Sequence, residues 1–275
     1  MESFPWRPGH FYSPIPGDDD IKRAMHAKRA FKWSTALLSD LDSIEDATKR
    51  LVSLNTEPLI DYLRNEEKTY PINSNQFVLA DAVTLWGLIS ALNSKLIVEV
   101  GSGHSTSLML DLKQYFNLDL HLICIEPYPA RLKETLGSRI SEVELLEVKV
   151  QDVEMGVFGE LGENDLLFVD SSHVSKAGSD VNHLVFNVFP NLQKGCYIHV
   201  HDVFSGFEYP EKWLREGRSW NEAYILRAFL MFNSAFSIYA WPQLLRNPCG
   251  YEEIAQKSGL NFGFPGSSLY LKKNI

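Results

Sequence analysis

A chain of 275 residues, 45% hydrophobic and 22% charged, can bury a full core, and one large α/β domain with additions fits it better than two independent domains. Its net charge of −9 and pI near 5.4 argue against an extended phosphate-binding surface, though a local basic patch could still exist, so no nucleic-acid partner is expected. No apolar run approaches the roughly 20 residues that cross a bilayer, and the start from Met1 to Pro8 lacks the pattern of a signal peptide; a cytoplasmic location without membrane partners is expected.

The first twenty residues are rich in proline, glycine and aromatics, including Phe4, Trp6, Phe11 and Tyr12, and read as an arm that packs over a pocket. From Ile21 to Leu63 apolar residues recur at three- and four-residue steps, which predicts two or three short helices. After Tyr70-Pro71, a helix from about Gln76 to Leu92 would carry Phe77, Ala80, Val83 and Leu88 toward the core. The expected organisation is an arm and helical cap over residues 1–75, followed by a main domain over 76–275.

The next stretch organises the chain. Leu96-Ile97-Val98-Glu99-Val100 is a β-branched apolar run that ends in the turn Gly101-Ser102-Gly103 and then a helical pattern from about Ser107. Glycine permits close backbone approach and positive φ, while the helix start offers unpaired N–H groups to an anion. A dinucleotide fingerprint would place a third glycine at position 106, where Thr106 stands, and this weakens a nicotinamide or flavin reading.

A second strand, His121 to Ile125, ends at Glu126, where a carboxylate can accept both hydroxyls of a ribose. Val143 to Val148 is a third strand, followed by a turn at Gln151-Asp152-Val153. A fourth, Asp165 to Asp170, leads into Ser171-Ser172-His173, and a fifth, Cys196 to His201, ends at Asp202. Repeated strand and helix patterns at this spacing mean a doubly wound parallel sheet. Late strands at Phe236–Trp241 and Ser267–Lys272, separated by a loop insertion, follow an amphipathic helix near Ser219–Leu230. Cys124, Cys196 and Cys249 are too widely spaced for a disulfide framework or a Cys-Xaa-Xaa-Cys metal site.

Glu99, the glycine turn without a third glycine, Phe168-Val169-Asp170-Ser171-Ser172-His173, His201-Asp202 and the closing Gly266-Ser267-Ser268-Leu269-Tyr270 together resemble class I S-adenosylmethionine-dependent methyltransferases, of the bacterial small-molecule type, from about Phe77 to Lys272. The resemblance implies a Rossmann-like seven-stranded sheet with an antiparallel last strand. It also implies that Glu99, Gly101, Ser102 and Gly103 surround the methionine part of the cofactor, Glu126 the ribose, and Asp152 the adenine amino group, with Val153 and Asp170 completing the cofactor set.

Open α/β sheets bind ligands outside the carboxyl ends of their strands, and here four strand tips carry acids or histidines. Because a sulfonium methyl is already activated, the protein must mainly align an acceptor and remove its proton; His173 and His201 are the candidate bases. Asp170, His201 and Asp202 could converge on a metal ion, with His173 able to join them. Related small-molecule O-methyltransferases hold Mg²⁺ with an acid after strand four and two acids after strand five; here His201 replaces the first of the pair. Imidazole with carboxylates suits Fe or Mn, carboxylates alone suit Mg.

The expected function is methylation of a hydroxyl on a small molecule such as a sugar or secondary metabolite. The arm and the insertion from Phe204 to Asn221 would shape its pocket. An iron-dependent oxygenase, a nucleotide-dependent dehydrogenase and a non-catalytic nucleoside-binding partner are the rival readings. Aromatics such as Trp213 and Trp220 would suit either a homodimer interface or the core.

Overall fold

Residues 6–262 and 265–275 are described in the computed structural model, with the side chain of Cys249 outside the described set. Seven strands, β1 (Leu96–Val100), β2 (His121–Ile125), β3 (Glu144–Leu146), β4 (Leu166–Val169), β5 (Tyr197–Val200), β6 (Phe236–Ala240) and β7 (Leu269–Lys273), form one sheet in the order β3-β2-β1-β4-β5-β7-β6. The first five run parallel, whereas β7 is antiparallel to both β5 and β6. This is the expected Rossmann-like sheet with an antiparallel last strand.

Helices α1 (Asp18–Arg29), α2 (Leu41–Ser53), α3 (Thr56–Arg64) and α4 (Leu79–Leu92) precede β1. Between strands lie α5 (His104–Tyr115), α6 (Ala130–Leu136) and α7 (Met155–Gly159), then α8 (Asp180–His183) and α9 (Phe189–Asn191), joined through a π-helical turn at Leu184–Val188. The chain ends with α10 (Glu211–Arg215), α11 (Glu222–Leu230) and α12 (Cys249–Ser258) around β6 and β7.

Side chains alternate across a strand, so each central strand feeds two cores. Leu96, Val98 and Val100 of β1 join one apolar cluster with Leu167 and Val169 of β4, α8, α9 and α11. Ile97 joins the other, with Leu166, Phe168, α4 and α5. Both faces are covered, which is why these strands read as continuous apolar runs. Asp165 sets their common start: its Oδ1 accepts from the backbone N–H groups of Lys95 and Leu96 at 2.9 Å.

Several boundaries differ from the periodicity. The helix expected from Gln76 begins at Leu79 and is buried all round from Leu79 to Ile89, because α2 covers the side that a surface helix would leave to water. A Cβ on Gly87 would lie 1.9 Å from the Leu51 carbonyl oxygen, so the two helices approach at a point where only glycine fits. The loop insertion between the late strands contains α12, whose Tyr251 and Ile254 are buried and which stops at Gly259 with φ +72°. Ten residues of α12, with few apolar positions, give too short a pattern to read as a helix.

The described part of the arm borders a hollow that it makes with the first turns of α1, walled by Arg7, His10, Phe11, Asp18 and Arg23 among others, and does not line the cavities at the sheet edge. Among the described residues, Trp6, His10, Phe11 and Tyr12 pack their rings on one another, with Phe11 and Tyr12 exposed, and the backbone closes on itself through Gly9 N–H to Ile15 O at 3.0 Å. Phe4 lies outside the described residues. No helix of the described chain is long and apolar enough to cross a membrane.

Candidate functional site

The loop after β1 is set by Gly101. Its φ is +81°, and a Cβ there would fall 1.9 Å from the Asp170 carbonyl oxygen at the tip of β4. Gly103 differs: a Cβ would meet only the Arg131 side chain, at 3.5 Å, so the absent side chain leaves a hollow above the start of α5. Thr106, at the place of a third glycine, accepts from Gly103 N–H at 3.0 Å and donates to Glu99, pinning the loop to the helix.

Glu99 shares its strand face with Ile97 and therefore points beneath α5, fully buried. Its carboxyl accepts from Ser105, Thr106 and Cys124. Burial pushes its pKa up to about 7, against those hydrogen bonds. The structure thus places Glu99 behind the loop, where it holds the loop from below, and not at the surface that would meet a ligand.

Glu126 lies at the tip of β2 and accepts from Ser102 N–H at 3.2 Å and Tyr128 N–H at 2.8 Å. A cavity of about 510 Å³ opens beside it, walled by Gly101, Glu126, Tyr128, Gln151, Asp170 and Ser172 among others. That volume is in the range of small-molecule sites. Asp152 is exposed and Val153 buried, and neither lines this cavity; Lys149, Val150 and Gln151 form its wall there, because the turn after β3 is a 3₁₀ segment that aims Asp152 outward.

At the tips of β4 and β5 the polar residues meet. His173 Nε2 lies 3.3 Å from Asp170 Oδ1 and 3.7 Å from Asp202 Oδ2. His201 Nδ1 lies 3.6 Å from Asp170 Oδ1 and 3.8 Å from Asp202 Oδ1, beyond hydrogen-bond contact, and has no hydrogen-bond partner among the described residues. One ligand atom each from Asp170, His173 and Asp202 falls within 4.8 Å of the others, so His173, not His201, completes the tightest group.

Two acids that the sequence pattern does not single out complete the site. Glu222, at the start of α11, sits 2.9 Å from His173 Nδ1 and accepts from Ser171 Oγ at 3.1 Å. Asp81, in the first turn of α4, is fully buried; its Oδ1 accepts from Ser267 N–H, Ser268 N–H and Ser268 Oγ, and its Oδ2 lies 3.5 Å from His201 Nε2. Each acid stands in a helix first turn, where acids are ordinary for dipole reasons, and so carries no distinguishing signal in sequence.

Burial disfavours the charged form of each group here, but the partners outweigh it. Hydrogen bonds and charges of Asp170 and Glu222 push His173 up to about 10, Asp202 and Asp170 hold His201 well above its ordinary value, and both imidazoles hold Asp170 well below the carboxylate range. His199 is the opposite case: burial and the charge of His201 keep it neutral, stacked on Phe168 and bonded to Ser268 Oγ at 2.8 Å.

A second cavity of about 380 Å³ opens on the far side of this cluster, walled by Gln76, Asp81, His201, Asp202, Phe204 and Trp213. The insertion from Phe204 thus reaches the site, while no described residue of the arm lines either cavity. Trp213 in this wall is half-buried, as is Trp220, whose ring lies 5.1 Å from that of Trp213 and 4.3 Å from that of His173.

A family model for a methyltransferase domain matches residues 98–203, from β1 to the end of the β5 tip. An uncharacterized protein of Archaeoglobus fulgidus is 31% identical over 165 residues, which span 57% of this chain and 74% of that one. Among solved structures, a Podospora anserina methyltransferase with bound S-adenosylhomocysteine is 14% identical over 96% of this chain and 99% of its own, with a TM-score of 0.47. A CmcI structure with Mg and S-adenosylmethionine is 18% identical over 72% of each chain, with a TM-score of 0.42.

Proposed function

The chain carries a methyltransferase domain, and from that premise we propose that it is a class I S-adenosylmethionine-dependent methyltransferase that methylates a hydroxyl of a small molecule. The observation that carries this reading is the position of the Asp170, His173, His201 and Asp202 cluster: Asp170 lines the larger cavity and His201 and Asp202 line the smaller one. The cofactor takes the cavity beside Glu126, the acceptor takes the cavity beside Trp213, and the reacting atoms meet at the cluster.

The residues fit that cofactor. The hollow left by Gly103 gives room for its methionine part, Glu126 stands where ribose hydroxyls need an acceptor, and Gln151 takes the wall position expected of Asp152. They also fit a divalent cation, since Asp170 and Asp202 are carboxylates close enough to share one, and His201 Nδ1 is buried beside them without a hydrogen bond. Such an ion, when bound, would polarise the acceptor hydroxyl and offset the two carboxylate charges.

His201 Nδ1, which has no hydrogen bond, is the atom that would take the acceptor proton, while Ser267 Oγ at 3.4 Å and Asp81 Oδ2 at 3.5 Å face Nε2 and hold the ring. Phe204 and Trp213 exclude water from the acceptor side, and the loop around Gly101 fixes the donor. Alignment and proton removal are the two tasks that an activated methyl leaves to the protein.

Transfer of label from methyl-labelled S-adenosylmethionine to a panel of hydroxylated small molecules tests this reading. Labelling of a hydroxyl, reduced about 10²- to 10⁴-fold in His201→Ala with cofactor affinity retained, is expected for loss of a general base. Labelling confined to amine or carbon acceptors would overturn it.

A further inference from the structure

We propose that His173 is a metal ligand positioned by Glu222, and that this dyad makes the site select a transition-metal dication such as Mn²⁺ over Mg²⁺. The inference rests on the reading that the strand-tip cluster holds a cation.

His173 is fixed at both ends by α11. Its carbonyl oxygen accepts from Asn221 N–H at 3.0 Å and Glu222 N–H at 3.2 Å, and its Nδ1 donates to Glu222 Oε2 at 2.9 Å. The second Glu222 oxygen accepts from Ser171 Oγ. With Nδ1 committed to a carboxylate, Nε2 is the atom turned toward Asp170 and Asp202, 3.3 and 3.7 Å away. A carboxylate behind an imidazole is how proteins fix the tautomer and raise the basicity of a ligating histidine.

His173 holds φ +59°, a conformation that the two hydrogen bonds to its carbonyl impose. One further observation points to a ligand at this place. The nearly buried His201 presents an unpartnered Nδ1 to the same two carboxylates. One imidazole and two carboxylates form a mixed nitrogen and oxygen donor set, which favours Mn²⁺ and later metals, whereas Mg²⁺ gains little from nitrogen.

The test uses the full-length protein stripped of metal. Calorimetric titration of Mn²⁺ and Mg²⁺, separately and in the absence of S-adenosylmethionine, compares wild type with His173→Asn and Glu222→Gln. Proton NMR of the Co²⁺-loaded protein reports whether an imidazole N–H is bound to the metal. We expect wild type to bind Mn²⁺ at least tenfold tighter than Mg²⁺, and Glu222→Gln to lose about 10- to 100-fold in Mn²⁺ affinity, with far less change for Mg²⁺.

His173→Asn should remove the Mn²⁺ preference and one strongly shifted, exchangeable imidazole signal of the Co²⁺ form, while the circular dichroism of both variants stays that of wild type. Equal affinities for the two metals in wild type, or a Mn²⁺ preference and Co²⁺ spectrum that survive His173→Asn, would overturn the proposal. Absence of metal binding in a protein that still transfers labelled methyl groups would overturn it too, and leave methyl transfer standing.

Discussion

Gly101 bears two demands at once, a positive φ and room for the Asp170 carbonyl against its α-carbon. Gly101→Ala should therefore cost more than the roughly 1–2 kcal/mol of the left-handed backbone alone and push β4's tip away, abolishing cofactor binding; urea unfolding and cofactor titration measure the two effects. Glu99 gives a pH signature. Its carboxyl is protonated in the folded chain up to about pH 7, so the stability due to its raised pKa is fully present below the unfolded value near 4.5 and is lost as pH rises through about 7. The change is of order 3 kcal/mol at about 1.4 per unit, and Glu99→Gln should lack it. A stability difference between Glu99→Gln and wild type that stays constant from pH 4.5 to 7.5 would contradict this. The glycine turn, Glu126 and the strand-tip acids and histidines were all legible as residues in the sequence. What was not legible is which way each faces: Glu99 turns under α5, Asp152 turns outward, and Asp81 and Glu222 look like ordinary helix-start acids until the fold brings them to the histidines.

Elements are joined by a few buried polar anchors, of which Asp111 on α5 is the busiest. It accepts from Tyr62 Oη and Thr69 N–H at 2.8 Å, Tyr70 N–H at 2.9 Å and Arg139 Nη1, tying α3 and the segment after α6 to the helix that starts at the glycine loop. Removing one partner of a buried pair leaves the others unpaired, so Asp111→Ala should destabilise the protein by about 3–5 kcal/mol in urea unfolding. A loss below 1 kcal/mol would mean that the anchor is dispensable. The order of strands and helices was readable because parallel strands covered on both faces give uninterrupted apolar runs, as in Leu96–Val100. Elements at the rim were not: β3 keeps only Glu144–Leu146 of the expected six residues because it is an edge strand, and α12 hides in a stretch whose few buried residues serve a neighbouring helix.

At the scale of the whole molecule, the sheet delivers the polar tips of β1, β2, β4 and β5 to one edge, and the helices on either side leave two cavities there that meet at Asp170, His201 and Asp202. The acidic net charge is consistent with this arrangement, since the site is built of carboxylates that a cofactor sulfonium and a cation would each offset. The most direct measurement is calorimetric titration of S-adenosylmethionine into the purified protein, beside Glu126→Ala. The structure predicts micromolar binding to wild type, weakened about tenfold or more by the substitution, as for loss of hydrogen bonds to a charged group. No binding, or equal binding by both proteins, would contradict the placement of the cofactor beside Glu126.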